Sequence, residues 1–273
     1  MLGGLARRVS LVEKLKDEGK AVLVVDSGNL FADMSGSIDH HQSLIKARLI
    51  SRAYKRMGAA AINVGPLDLA QGLTFLREEA SRGLPLISSN LVEPSSRTPI
   101  FQPYIIKKVN KTRIAFFGLL SPASNPAIRK TEGEKFMVQD PAEAARAVIE
   151  KLRGKADVIV LLSVLDQYGE REIVKAVSGI NFVLGGHEGR YIQSPVWEGQ
   201  TPILESYRNG MYAGKLQLSF ANAASPFRDE LKNCEASNSS DNRFVWTLVP
   251  LDRSFQEDRV VSEWIRKAGV ERD

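Results

Sequence analysis

Up to Gly186, short apolar segments alternate with amphipathic ones. Apolar residues first recur at helical spacing, at Leu5, Val9, Val12 and Leu15, and this pattern stops at Gly19. Later helical patterns are SGSIDHHQSLIKARLISRAYKRMG, PLDLAQGLTFLREEASRG, residues 140–153 and GEREIVKAVSG. The apolar runs between them are AVLVVD, AAAINVG, LPLISSN, ADVIVLLSV and INFVLGG. The alternation predicts an α/β fold in which helices cover both faces of a parallel sheet.

Antiparallel pairing is predicted at two places. The stretch FQPYIIKKVNKTRIAFFGLL resembles two strands around a turn at Asn110 and Lys111. After Gly186, strand-like runs follow one another without helices, and a polar segment at 221–242 predicts a hairpin loop or a disordered insert. The final pattern, DRVVSEWIRKAG, is helical. No linker interrupts the chain, so we expect one domain over residues 1–273 that contains two sheets.

Composition narrows the function only slightly. The 273 residues are 43% hydrophobic and 25% charged, with a net charge of +5. Basic residues are interspersed with acids and no basic run alternates with aromatics, so we expect no nucleic-acid partner. The single cysteine, Cys234, excludes a disulfide framework and a cysteine-rich metal site. No apolar run is long enough to predict a membrane span, and the first residues lack the order of a signal peptide.

Polar side chains follow several predicted strands at their carboxyl ends, where open α/β sheets bind ligands. Asp26 and Asn29 come at the end of the first predicted strand, and Asp68 follows the second. His187 follows a later strand, INFVLGG. Other strand-end candidates are Asp39, His40, His41, Asp166 and Glu188. Adjacent His40 and His41 would point about 100° apart in a helix and could not easily share one ion. A solvated helix start capped by Asp39 is the simpler interpretation of that pair.

The order of motifs resembles a known family. GGLARR, VVDSGN, a long helix, INVGPLDLAQG, PLISSN, IAFFGLLSP, DVIVLLS, GINFVLGGHEG and TPILESYRNGMYAGKLQLSF follow one another over roughly residues 3–220. This series is similar to the catalytic domain of the 5′-nucleotidase and UDP-sugar hydrolase branch of the calcineurin-like metallophosphoesterases. The resemblance implies a four-layer α/β/β/α sandwich with mixed sheets. It also implies an active site at the strand ends.

The resemblance implies a two-metal site, but this chain departs from its ligand pattern. The family's bridging aspartate is Asn29 here, the Asn-His pair of its GNHD turn is Pro66-Leu67, and its histidine after Leu-Ser is Val164. Of its GHxH turn only His187 is retained. Two unit charges about 4 Å apart interact by about 4 kcal/mol at an effective dielectric of about 20, and two dications repel about four times as strongly. A bridging carboxylate offsets that repulsion, whereas a neutral Asn29 cannot. We therefore expect at most one divalent ion, Mn or Zn.

Three interpretations stay open at this point. The site is rebuilt from other acids and histidines, or the chain is a non-catalytic binding or scaffold protein, or the chain starts upstream of Met1. The third is suggested by nucleotidase-like selenoproteins, in which a selenocysteine or cysteine precedes the GGLARR segment. A start upstream predicts a periplasmic or exported protein, and a true start at Met1 predicts a cytoplasmic one. The resemblance also ends before the family's C-terminal substrate domain, which we expect this chain to lack.

The function that the resemblance implies is a 5′-nucleotidase-like hydrolase acting on small-molecule phosphate esters. We expect its activity to be weak because most metal ligands are replaced, and the alternative is a pseudoenzyme of the same fold. The predicted catalytic residues are His187 and Asp68. The predicted metal-site residues are Asp26, Asn29 and His187.

Overall fold

The computed structural model describes residues 3–31, 40–122, 136–207, 210–222, 225–231 and 241–269. The helices are α1 Leu5–Asp17, α2 His40–Met57, α3 Pro66–Leu69, α4 Leu73–Ser81, α5 Pro141–Leu152, α6 Gln167–Ala176 and α7 Arg259–Lys267. The strands are β1 Val24–Asp26, β2 Ala59–Asn63, β3 Leu86–Ile87, β4 Leu91–Val92, β5 Tyr104–Val109, β6 Thr112–Leu120, β7 Met137–Val138, β8 Val158–Val164, β9 Phe182–Gly185, β10 Val196–Glu198, β11 Thr201–Glu205, β12 Tyr212–Ser219, β13 Phe227–Asp229 and β14 Asn242–Pro250.

Two sheet layers pack face to face and helices cover their outer faces. One layer is a six-stranded sheet in the order β10-β11-β9-β8-β6-β5. The other consists of two separate three-stranded sheets, β1-β2-β3 and β12-β14-β13, which pack on the same face of the first, and β4 pairs with β7 apart from both. An apolar cluster between the layers joins Ala61 of β2 and Phe244 of β14 to Leu162 of β8. A second cluster packs α1, α2, α4 and α7 against β2, and a third packs α5 and α6 on the six-stranded sheet. This arrangement confirms the predicted four-layer α/β/β/α sandwich.

Most predicted elements are present, and capping explains several of their ends. The hairpin turns at Asn110, which has a φ of 54°, and its strands pair from Tyr104 with Phe117 to Val109 with Thr112. Asp140 accepts a hydrogen bond from the backbone N–H of Glu143 and so caps α5.

None of the helices in the described part of the chain combines the length and the apolar character that a membrane span requires.

The prediction of a single helix over residues 66–83 is wrong. The structure has the short α3 and a separate α4, divided at Gly72, whose φ is 84°. That left-handed conformation ends one helix and restarts the chain in a new direction, which glycine allows without steric penalty. The break leaves α3 as a single turn that carries Asp68.

The polar segment at 221–242 is more ordered than a simple hairpin loop at one place. It contains β13, which pairs in parallel with β14, and the ring of Phe227 lies 4.8 Å from that of Phe182. The flanking strands β12 and β14 pair antiparallel, as a hairpin connection requires. Residues 223–224 and 232–240, including Cys234, lie outside the described residues.

Asn63, the last residue of β2, ties the two sheet layers together. Its side-chain Nδ2 lies 3.0–3.1 Å from the carbonyl oxygens of Ser27, Leu119 and Leu162. The amide approaches β6 so closely that a Cβ on Gly118 would lie 2.1 Å from Asn63 Oδ1. Glycine at 118 is therefore required for one polar side chain to bridge strands of both layers.

Asn63→Leu should destabilise the protein. The change removes the side-chain hydrogen bonds to three backbone carbonyls, and a typical protein hydrogen bond contributes about 0.5–1.5 kcal/mol to stability. Urea denaturation should therefore show a lower midpoint with an unchanged slope. Asn63→Asp should cost at least as much, because it places a carboxylate against the same carbonyls. Wild-type stability in both variants would contradict the bridging role.

Candidate active site at the strand ends

The carboxyl ends of neighbouring parallel strands meet at one edge of the sandwich. In the six-stranded sheet, Ser163 of β8 pairs with Gly185 of β9, and Gly185 pairs with Glu205 of β11. In the other layer, Asp26 ends β1 beside Ile62 of β2. The two edges touch, since a Cβ on Gly186 would lie 2.7 Å from the Ser27 side chain. This edge is where the sequence predicts the site.

Asp68 lies at the centre of this edge and is only 1% exposed. Its Oδ2 accepts hydrogen bonds from the backbone N–H groups of Asn29 and Gly65, both at 2.8 Å. Its Oδ1 accepts from Leu30 at 2.7 Å and from Phe31 at 2.9 Å. Burial raises the pKa of Asp68 to about 6, although these N–H donors act in the opposite direction. The carboxylate thus satisfies donors of two loops at once.

Asn29 completes this connection between the loops. Its Oδ1 accepts from the backbone N–H of Leu67 at 3.0 Å, and its own φ is 61°. Gly65 permits the approach, because a Cβ there would lie 2.4 Å from Asn29 Oδ1. The structure therefore brings Asn29 and Asp68 together: the Asn29 backbone N–H donates to Asp68, and the Asn29 side chain accepts from the residue before Asp68.

Asp26 accepts a hydrogen bond from a tyrosine, which in turn accepts one from an arginine, and the sequence analysis selected neither residue. Asp26 Oδ1 accepts from the backbone N–H of Gly28 at 3.0 Å, and Oδ2 accepts from the hydroxyl of Tyr54. That hydroxyl accepts in turn from the Arg8 guanidinium. Burial raises the pKa of Tyr54 well above its ordinary value, so the hydroxyl stays protonated and donates to Asp26.

His187 lies in the loop after β9 and is exposed. Within the described part of the chain, no hydrogen bond joins it to Asp26, Asn29 or Asp68. The fold nevertheless places its loop beside the Asp26 turn, through the contact of Gly186 with Ser27. His187 is therefore near the predicted edge without being part of the hydrogen-bonded group.

The other strand-end candidates have separate structural roles or cannot be placed. Asp166 caps α6 by accepting from the N–H of Gly169 at 2.7 Å, and Glu188 pairs with Arg190. The helix α2 begins at His40, as the simpler interpretation of the histidine pair predicts, and His41 is exposed. Asp39 and the His40 side chain lie outside the described residues.

The donor set at this edge does not fit two divalent ions. Both oxygens of Asp68 and both of Asp26 already accept hydrogen bonds from the protein. The side chain of Val164, which the resemblance aligns with a histidine ligand, is fully buried and offers no lone pair. Among the described residues, no three His, Cys, Asp or Glu side chains form a group that could hold a metal ion.

A buried ionic cluster lies next to the His187 loop, because Arg190 of this loop pairs with two buried glutamates. The Arg190 guanidinium lies 2.8 Å from Glu170 Oε2 and 2.7 Å from Glu205 Oε2. Both glutamates are buried, at 0% and 2% exposure. Burial raises the pKa of Glu170 to about 7, with Arg190 opposing the change and Glu205 reinforcing it. We refer to Glu170, Arg190 and Glu205 as the arginine clasp. Its sequence signal is weak, because Glu170 differs from other helix acids only in sharing the buried face with Ile173.

No protein-family model matches the chain, but individual relatives do. It is 24% identical over 207 residues to the 2′,3′-cyclic-nucleotide 2′-phosphodiesterase/3′-nucleotidase of Salmonella typhimurium, covering 67% of this chain and 32% of that protein. It is 23% identical over 244 residues to the 5′-nucleotidase of Diplobatis ommata, covering 80% of this chain and 41% of that protein. The calcineurin-like phosphoesterase YfkN from Bacillus subtilis superposes with a TM-score of 0.74 at 18% identity, over 98% of this chain and 88% of that one.

These comparisons confirm the resemblance and the fold. The relatives are nucleotidases and calcineurin-like phosphoesterases, and this chain has the metallophosphoesterase fold. It spans less than half the length of the curated relatives described above.

Asp68→Asn should lower stability by several times more than Asp166→Asn. The amide keeps one acceptor oxygen but turns an NH₂ group towards two backbone donors, and each unsatisfied buried donor costs about 1–3 kcal/mol. Asp166 accepts one bond at an exposed helix start, where asparagine caps nearly as well. Thermal and urea unfolding of the two variants would measure the difference. Equal effects would contradict the central role of Asp68.

Glu170→Gln should change how stability depends on pH. Folding raises the pKa of Glu170 from an ordinary 4.5 to about 7, so the folded state binds more protons between those values. Stability from this group is present below pH 4.5 and is lost as the pH rises through 7, with a slope of up to about 1.4 kcal/mol per pH unit.

The measurement is urea unfolding of wild type and Glu170→Gln at several pH values from 4.5 to 7.5. Glutamine does not titrate, so the wild-type curve should fall more steeply than that of the variant. Glu172→Gln is the matched control, since Glu172 lies on the same helix with 47% of its side chain exposed. Parallel curves for wild type and Glu170→Gln would contradict the raised pKa.

Proposed function

We propose that this chain is a 5′-nucleotidase-like domain that binds phosphate esters at the strand-end edge and hydrolyses them weakly. The relatives and the fold support a phosphoesterase, and the resemblance supports the nucleotidase branch. The observation that carries the reduced activity is the engagement of Asp68 by four backbone N–H groups. A carboxylate used to close two loops together is not available to act on a substrate.

The chemistry explains why the proposed activity is weak. Two-metal phosphoesterases activate a water molecule and clamp both the attacking and the leaving oxygen with the ions. The side chains at this edge do not suit two metal ions, so the proposed hydrolysis proceeds without a metal pair. The role that we assign to His187 is proton donation to the leaving oxygen of the ester, which its exposed position beside the edge allows.

A non-catalytic binding protein is the second candidate. The bonding of Asp26 to Tyr54, and of Tyr54 to Arg8, favours it, because a guanidinium lies near the carboxylate where cations would otherwise be attracted. Such a protein would keep the fold and its ligand edge while the retained acids stabilise the loops.

A single domain over residues 1–273 and export to the periplasm stay predictions.

The deciding experiment is phosphate release from adenosine 5′-monophosphate (AMP), with added Mn²⁺ or with EDTA, alongside calorimetric binding of AMP. We expect slow release, and His187→Ala should reduce it by about 100-fold or more, the typical contribution of a general acid. His41→Ala is the matched control, because His41 is also exposed but lies on α2.

Each outcome selects one candidate. Release that survives His187→Ala would overturn the assignment of His187. Binding of AMP without any release would favour the non-catalytic protein. A rapid, EDTA-sensitive release with two bound ions per chain would contradict our interpretation of Asp68.

A further inference from the structure

The loop after β9 is held at both of its ends and by a buried side chain between them. Before the loop, the carbonyl oxygen of Leu184 accepts a hydrogen bond from the Ser27 hydroxyl at 2.7 Å. Further along, the carbonyl oxygen of Ile192 accepts from the indole N–H of Trp246 at 2.8 Å. Between these points, the side chain of Arg190 enters the arginine clasp. The middle of the loop is therefore held by a group of ionisable side chains.

The charges of the clasp do not balance when all of its carboxyl groups are ionised. Glu170 and Glu205 share one guanidinium, which also lies 3.0 Å from a carboxylate oxygen of Glu188. Glu170 and Glu205 are buried, and the Oε1 atom of each has no hydrogen-bond partner in the described part of the chain. A buried carboxylate oxygen without a donor is costly, and such a group takes up a proton instead. The geometry of the clasp thus favours one bound proton.

Glu170 is the carboxyl group that holds this proton. It lies on α6, and the groups that face it are Arg190 of the loop, Glu205 of β11 and the Ser163 hydroxyl of β8. Burial raises the pKa of Glu170 to about 7, with Arg190 opposing the change and Glu205 reinforcing it. The clasp therefore loses its proton near neutral pH.

The carboxyl group of Glu170 touches the strand from which the loop starts. A Cβ on Gly185, the last residue of β9, would lie 2.6 Å from Glu170 Oε1. His187 follows Gly185 by two positions in the chain. A negative charge on this unpartnered oxygen would lie against the backbone where the loop begins. Local opening of the loop, which admits water, is the movement that solvates this charge.

From these contacts we propose that the arginine clasp is a pH-sensitive lock on the His187 loop. A proton on Glu170 keeps the loop closed, and loss of that proton opens it. The opening is local, because the contacts of Leu184 and Ile192 lie outside the clasp. An open loop carries His187 away from the edge at which we propose ester binding. That consequence for hydrolysis rests on the proposed function, whereas the opening itself rests on the clasp.

Proton linkage gives the direction of the effect. Opening exposes Glu170 to water, where its pKa returns towards the ordinary 4.5. The closed loop binds more protons between pH 4.5 and about 7, so opening becomes more favourable across that range and levels off above it. The equilibrium constant for opening should rise by at most about tenfold for each pH unit.

The test is hydrogen–deuterium exchange of the whole chain, followed by mass spectrometry of a peptide that covers residues 186–191. Exchange times are scaled for the intrinsic effect of pH on amide exchange. Protection of the loop should fall by about 10- to 100-fold between about pH 5 and about pH 7, while α1, which packs on the other sheet layer, keeps its protection. Constant protection of the loop, or an equal loss in α1, would overturn the lock.

Glu170→Gln should abolish the pH dependence, because glutamine stays neutral and its amide oxygen still accepts from Arg190. Glu172→Gln is the matched control, since Glu172 lies on the same helix with 47% of its side chain exposed. His187→Ala should retain the dependence, which distinguishes Glu170 from the histidine as the titrating group. A dependence that persists in Glu170→Gln, or that disappears in His187→Ala, would overturn the assignment.

Glu205→Gln tests the lock independently if Glu170→Gln does not fold. It removes the neighbouring negative charge that favours the proton on Glu170. The loss of loop protection should therefore end at a lower pH and be smaller than in wild type. A profile identical to that of wild type would overturn the clasp as the source of the effect.

Phosphate release from AMP by the same samples separates this inference from the proposed function. A loop that opens with rising pH, in a chain that releases no phosphate, would uphold the lock and overturn the hydrolysis. Phosphate release from a chain whose loop protection stays constant would do the reverse.

Discussion

The carboxylate of Asp68 accepts four main-chain N–H groups, three from the turn after β1 and one from the start of α3. Loops at a strand end carry backbone donors that must be satisfied when they are buried, and here one side chain satisfies them. The conformations of Asn29, at φ 61°, and of the Gly65 turn follow from this arrangement. The loops at this edge are therefore built around one hydrogen-bonded carboxylate.

The same reasoning explains the neighbouring charges. Asp26 would be an uncompensated carboxylate at the edge if it had no partner, and its partners are a tyrosine hydroxyl and, through it, the Arg8 guanidinium. The negative charge of Asp26 is thus stabilised by groups of the protein itself. Nucleotidases are among the relatives of this chain, and here the strand-end edge is stabilised by contacts between side chains and main chain. Fold and chemistry are separable for that reason.

The second support of the edge is ionic and buried. Arg190 contacts Glu170, Glu205 and the more exposed Glu188, and one guanidinium cannot neutralise all three carboxylates. Burial raises the pKa of Glu170 to about 7, so this group favours a retained proton there. Buried charges of this kind define geometry more than they add stability. The geometry defined here is that of the His187 loop and of the segment around Tyr207, which continue from β9 and β11.

The sequence by itself determined the elements whose signals are local. A continuous apolar run located β8, and helical spacing of apolar residues located α1. The Asn110 turn located the hairpin, and Asp140 located the start of α5. Each of these signals depends on neighbouring residues. It also placed Asp26, Asn29 and Asp68 at one edge, since parallel strands share their carboxyl ends. The tertiary structure alone decided the break at Gly72, the bonding of Asp68 and the arginine clasp. Those features depend on contacts between segments far apart in the chain. The spacing of residues along the sequence does not indicate which distant group a buried carboxylate will bind.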